Sequence, residues 1–420
     1  MNVLKFVTGH RGIKNTVRRT GQIFNRFGHS PGRMGARFER FMDLLDEFDI
    51  RPTFPITALP LSRNARFAHR LVDRGAELAV HAWSHIDLTT LDYQGQKEHM
   101  GQAIQLFRDS GVPFTGFRAP YLHWNDDTMR VVEDYQFRYS SNQTIWWDVI
   151  DSNGLEPEQQ EGIQRGMAFY KPVRADAMRS VPFRRRGFVE IPVSLPDDEI
   201  PLDRMYIHDV DFLERMWCAI LEQSHERGEL FTLQLHPERI DFFTPALRTM
   251  LAGARAKNVW VATLDEIAQW WTDKSGNHIS FAREDDGHRA DVKACAGTTL
   301  YVRENAVTRS QGAGAVFVRG PERPCVGVLP GSERTAVQAL EDLGYVVEAG
   351  ERAEDYAIHL GALADAGYRT IRDALARIDA CRGPLLHFGT WPHGHPSALA
   401  VTGDIDALTI WDFMHRFRGA

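Results

Sequence analysis

At 420 residues, 43% apolar and 25% charged, the chain has an ordinary globular composition with room for one large domain and a smaller one. A formal net charge of −7 supplies no basic face of the kind nucleic acid requires. Cys218, Cys295, Cys325 and Cys381 are scattered without a Cys-x-x-Cys, which argues against a thiolate zinc site and a dense disulfide framework. No run of about 18 apolar residues occurs, and Arg and Lys interrupt the N-terminus before any sustained apolar stretch, so the expectation is a cytoplasmic chain without a transmembrane segment.

Residues 1–30 are basic and weakly patterned, an irregular lead-in with a short helix. Met34, Phe38, Phe41, Leu45 and Phe48 then recur at helical spacing over Arg33–Asp49. Thr53–Thr57 reads as a strand, 62–74 as a helix, and Leu78–Val80 as a strand running straight into His81. Residues 93–110 are helical, Phe114–Phe117 extended, Tyr121–Asp134 helical and Phe137–Ser140 extended. Strands follow at Val189–Val193 and Leu230–Leu235, a helix at 243–256, a strand at Val259–Ala262 and a closing helix at Leu264–Trp271.

This alternation predicts a parallel β/α architecture, whose working residues gather where strands run out into loops. His81, Arg118 and His236 all stand at such places. The polar stretch Thr272–Asp291 reads as a linker, placed at 275–289. Beyond it, Thr298–Val302, Ala315–Val318 and Cys325–Leu329 read as strands, with helices at Thr335–Leu343 and Tyr368–Cys381. The division expected is therefore a β/α domain over 1–274, a small α/β insert of unassigned role over 290–385, and a C-terminal strand and helix over 393–420.

Four groups of residues could carry chemistry. His81-Ala-Trp-Ser-His85 sets two imidazoles four apart, one helical turn, which lets both reach one divalent ion or leaves an ordinary surface or core pair. Asp404 and Asp406, at the end of the apolar run Ala398–Val401, would point the same way on an extended strand. Such a pair can divide labour between ligand and base; alternatively Thr402-Gly-Asp is a turn and the acids cap a helix from Ala407. His236 ends an apolar strand, where it is either a general acid or a satisfied strand-end histidine. Arg118-Ala-Pro-Tyr121 offers a cation that could orient a carboxylate or form a surface ion pair.

Taken together, His81–His85, Gly116–Tyr121, Phe137–Ser141, Glu190–Val193, Leu233–Pro237 and Arg51–Ile56 resemble the polysaccharide deacetylase family (carbohydrate esterase family 4, the Nod-factor deacetylase homology domain) over roughly 33–271. The family's opening strand with its paired acids is missing from that stretch, and Thr402-Gly-Asp-Ile-Asp-Ala407 matches it. The resemblance thus implies an α/β fold, a distorted (β/α) barrel of the polysaccharide deacetylase type, circularly permuted, with the first strand supplied by the C-terminus and a small α/β insert.

It also implies a site and a reaction. Asp406, His81 and His85 would bind one divalent metal, zinc being the expected ion. Asp404 would be the base, held by Arg118, and the Tyr121 backbone N–H would stabilise the oxyanion. His236 would protonate the leaving amine, while Leu235, lining the acyl pocket, and Trp83 would contact substrate. The reaction implied is hydrolysis of an N-acetyl group on an amino sugar or glycan precursor, so the partner is a carbohydrate or small molecule. The alternatives are hydrolysis of another non-peptide C–N bond, such as a cyclic amide, and a catalytically silent glycan-binding protein. The chain departs from the family pattern in two ways: Ser140 and Ser141 stand where an Asp is common, with Asp148 or Asp198 as stand-ins, and Ala82 replaces a more usual Ser or Thr.

Overall fold

The computed structural model describes residues 30–304, 307–311 and 315–415; the lead-in expected for residues 1–30 lies, except for Ser30, outside them. One curled twelve-stranded sheet dominates. Its hydrogen-bonded path starts at Val173–Arg174 and passes through Thr144–Trp146, Val193–Leu195 and Leu230–Leu235 to Ala398–Gly403. From there it continues through Thr53–Ile56, Glu77–Val80, Gly116–Phe117, Tyr139–Ser140 and Phe188–Glu190 to Phe183–Arg185. Every pairing on this path is parallel except the last, so the fold is a distorted β/α half-barrel whose path is open between its two edge strands.

The strand from the far end of the sequence lies in the middle. Ala398–Gly403 pairs in parallel with Leu230–Leu235 along six positions, from Leu230 with Ala398 to Leu235 with Gly403. On its other edge Trp260 and Val261 pair with Ala398 and Leu399, and Thr53 pairs with Thr402. All six of its residues are buried, as a parallel strand covered on both faces must be.

Helices cover the sheet because their apolar stripes have no other place to go. The helix Gly32–Asp46 turns Met34, Phe38, Phe41 and Leu45 inward. Phe38 meets Phe54 and Phe67 edge-on at 5.4 and 5.3 Å, and is wholly buried. Such an aromatic contributes about 3–5 kcal/mol relative to Ala.

Several elements differ from their sequence reading, each for a local reason. Residues 62–74 fall in two helices, Ala58–Arg63 and Ala65–Asp73, because Asn64 (φ −136°) leaves helical geometry and its amide donates to the Pro60 carbonyl. Tyr121–Asp134 is helical only from Asp126, where Asn125 and Thr128 cap each other reciprocally. The stretch read as a linker folds as a hairpin, His278–Glu284 against Gly287–Lys293, because Ile279 and Ala290 bury one face against Val316 and Val318. Helices Pro157–Tyr170 and Val210–Glu226 escaped the sequence reading. Past residue 277, three small three-stranded sheets with helices Arg334–Asp342 and Tyr368–Ala380 build separate apolar clusters. Among the described residues no helix is long and apolar enough to cross a membrane.

Candidate metal centre

The two acids of Asp404-Ile405-Asp406 are wedged between the ends of two neighbouring strands. Asp404 N–H donates to the Leu235 carbonyl at 3.0 Å, Ile405 N–H to the Pro55 carbonyl at 2.7 Å, and Thr57 Oγ1 to the Asp406 carbonyl at 2.9 Å. They are therefore not helix caps; the following helix, Ile410–His415, is capped instead by Thr409 and Asp412, which bond each other.

His81 lies one residue beyond the strand Glu77–Val80, with its N–H on the Ile56 carbonyl at 3.1 Å. Residues 81–85 form a loop rather than a helical turn, and Ala82 has φ +64°. The proximity of the two histidines thus comes from a bent loop. That loop is fixed because its Ala82 and Trp83 carbonyls accept the N–H groups of Ala58 and Leu59, which open the next helix.

The result is a buried cluster: His81, His85 and Asp406 offer one ligand atom each, all within 4.8 Å of one another. His85 Nε2 is 3.2 Å and His81 Nε2 3.6 Å from Asp406 Oδ1, and the imidazole centroids are 5.1 Å apart. His81 Nδ1 bonds the Arg118 carbonyl at 2.8 Å; since a carbonyl only accepts, Nδ1 carries the proton and Nε2 presents its lone pair to the cluster. That Nε2 is buried without a hydrogen-bond partner, as a ligand nitrogen would be. Two imidazoles and a carboxylate are a donor set that suits a divalent ion with coordination positions left open for water and substrate.

Arg118 sits beneath this cluster, wholly buried. Its Nη1 donates to Asp404 Oδ1 and Thr402 Oγ1, both at 2.8 Å, Nη2 to Ser141 Oγ at 3.0 Å and Nε to the Ser141 carbonyl at 3.2 Å. A buried guanidinium is tolerable only when paired and satisfied in this way. Ser141, one of the two serines standing where an Asp was expected, is thus part of the Arg118 cradle, and Ser140 accepts from the Asn142 amide, whose oxygen holds the Ala119 N–H. Tyr121 adopts φ +61° and sets its ring edge-on to His85 with centroids 4.3 Å apart.

His236 is the first residue past the strand Leu230–Leu235, in register beside Asp404, the first past Gly403. Gly403 permits this approach, because a Cβ there would stand 2.4 Å from Pro237 Cγ. His236 Nδ1 bonds Asp198 Oδ1 at 2.8 Å, and the His236 N–H donates to Asp198 Oδ2 at 3.3 Å. Of the two stand-in carboxylates, Asp198 is therefore the partner; Asp148 is exposed and pairs with Arg174.

Asp197, Asp198 and His236 form a second group with metal-ligand spacing, but here Arg239 already brings positive charge, 3.5 Å from Asp198 Oδ2. Burial, with the charges of Asp198 and Glu199, pushes the Asp197 carboxyl well above the usual range. Leu235 is wholly buried in the main core, and Trp83 is half-buried against it, with its N–H 3.4 Å from His99 Nδ1. Sequence reasoning missed Thr402, whose role needs the spatial neighbour Arg118.

Residues 27–140 match the family model described as Polysaccharide deacetylase. A peptidoglycan deacetylase-like protein of Gibberella zeae is 32% identical over 119 residues, 26% of this chain and 33% of that protein. A bifunctional xylanase/deacetylase of Pseudobutyrivibrio xylanivorans is 27% identical over 107 residues, 25% of this chain and 18% of that one. The chain thus spans a third or less of the length of these curated relatives. A solved structure from Mycobacterium smegmatis, described as a polysaccharide deacetylase, aligns at TM-score 0.46 and 19% identity over 67% of this chain and 88% of that one. The segment that matches the polysaccharide deacetylase family model is the one that carries His81, His85, Arg118 and Tyr121.

Proposed function

We propose that the chain is a metal-dependent deacetylase that hydrolyses the N-acetyl group of an amino sugar or glycan precursor. The observation that carries this reading is the arrival of Asp406, from the far end of the sequence, at 3.2 Å from His85 and 3.6 Å from His81. Zinc is the ion the two imidazoles and one carboxylate suit. When bound, it would polarise the acetyl carbonyl and lower the pKa of a water molecule toward neutrality.

The remaining work falls to side chains. Asp404, held by Arg118, accepts the proton of the attacking water. The Tyr121 N–H donates to the oxygen on which charge develops, a contact of a kind that contributes about 3 kcal/mol. His236, oriented through Nδ1 by Asp198, gives its proton to the leaving amine. Leu235 would border the acyl group and Trp83 the sugar.

The permuted order belongs to the same reading: 1–274 would form the barrel, 393–420 would complete it with the strand that opens an unpermuted relative, and 290–385 would be an insert. Two measurements test it. Elemental analysis of His81→Ala and Asp406→Ala should find the metal lost; full occupancy in Asp406→Ala would end the permuted-site reading. Acetate should appear from a panel of N-acetylated sugars and stop with chelator. Ring opening of a cyclic amide without acetate release would replace the substrate class, and glycan binding that survives chelation without any turnover would favour a silent binder.

A further inference from the structure

The strand that delivers His236 also delivers Gln234, which is 4% exposed. Its Nε2 donates to Asp404 Oδ2 at 2.9 Å, while Arg118 Nη1 serves Oδ1 at 2.8 Å. A carboxylate accepts and does not donate, so the amide nitrogen must face it and Oε1 must face elsewhere. That Oε1 is buried without a hydrogen-bond partner.

A half-satisfied buried amide works against folding. Nor is Gln234 needed to join its strand to Ala398–Gly403, since six consecutive register positions already do so. An aliphatic side chain would fill this position without an unmet oxygen. The one bond that Gln234 makes is therefore what its presence contributes, and that bond ends on Asp404.

We propose that Gln234 is a positioning residue for the Asp404 carboxylate, resting on the reading of Asp404 as the base. With only Arg118 in place, one oxygen is fixed and the other is left to swing about Cβ–Cγ. A donor on each oxygen sets the plane of the carboxylate and leaves its remaining lone pairs aimed in one direction. Reaction geometry is sensitive to displacements of this size; a misplacement of about 1 Å can cost about 100-fold in rate.

The test uses the full chain loaded with zinc and compares Gln234→Met with Thr232→Val. Thr232 is a useful control, because its Oγ1 is also buried and unpartnered on the same strand but does not touch Asp404. Gln234→Met should lower kcat by about 10- to 100-fold with KM within about two-fold, and thermal stability close to wild type. Thr232→Val should leave kcat unchanged. In crystal structures, the Asp404 carboxylate of Gln234→Met should be turned or split between two orientations.

A kcat unchanged in Gln234→Met, or lowered only in step with a stability loss that Thr232→Val shares, would overturn the proposal. So would a variant carboxylate that superposes on the wild-type one. Should wild type turn over no acetylated sugar, the deacetylase reading falls. The carboxylate orientation in the two crystal structures then still decides on Gln234.

Discussion

Replacing Arg118 with Leu removes the charge around which this site is built, and its cost can be worked out from the contacts. The guanidinium is wholly buried and Asp404 is 5% exposed, so neither end of the pair is solvated. Taking one partner from a buried ion pair costs about 3–5 kcal/mol, because the other charge is stranded. The Thr402 hydroxyl and the Ser141 oxygens lose donors as well, adding about 1 kcal/mol for each group left unmet. The expected destabilisation is about 4 kcal/mol or more. Urea unfolding reports it through the fluorescence of Trp147, Trp217 and Trp271, all wholly buried in the barrel cores. The double variant Arg118→Leu/Asp404→Leu carries no stranded charge, so its loss should fall short of the sum of the single losses by about 2 kcal/mol. A single-variant loss under about 1 kcal/mol, or additive losses, would refute the view that this pair is energetically closed to solvent.

On the proposed roles, Asp198→Asn should lower the rate of acetate release at least about 10-fold while leaving bound zinc unchanged, because it disturbs the proposed acid, His236, and none of the proposed ligands; equal rates would remove Asp198 from the proposed mechanism. Gly403→Ala should cost about 1–3 kcal/mol in thermal or urea unfolding, since the new Cβ meets Pro237 and Phe54; a neutral effect would mean that the corner before Pro237 yields easily. Burial pushes the His99 imidazole down to about 4 from its ordinary 6.5. The unfolded chain therefore binds the extra proton between pH 6.5 and 4, and stability falls as pH falls through that window, by up to about 3 kcal/mol. His99→Gln should flatten that part of the stability–pH curve, and an unchanged slope would exonerate His99.

The sequence was most readable where the candidate site and strand ends coincide. His81, Arg118 and His236 could each be placed at a strand terminus from a short apolar run followed by a polar residue. Asp404 and Asp406 became legible only through what was lacking before the helix at Gly32. What stayed hidden depended on partners distant in sequence. Nothing local in Ser141 says that it cradles a guanidinium, and nothing in Asp148 or Asp198 says which one faces His236. The break at Asn64 was missed because apolar periodicity continues across it. The hairpin at His278–Lys293 was missed because its alternation is carried by few large apolar residues, with Ala290 filling a core position.

The central place of Ala398–Gly403 sets an order of events during synthesis. The bonds that tie the two acids to the early part of the sequence span most of the chain: 286 residues separate Arg118 from Asp404, and 349 separate Thr57 from Asp406. Until Ala398–Gly403 leaves the ribosome, Thr53–Ile56 and Leu230–Leu235 face each other across an unfilled seam. Unpaired parallel edges of that kind invite pairing with other chains. A nascent chain stalled before residue 398 would expose both edges and would lack Asp404 and Asp406 of the candidate site. The candidate site is thus completed only after both strands that flank Ala398–Gly403 have been made.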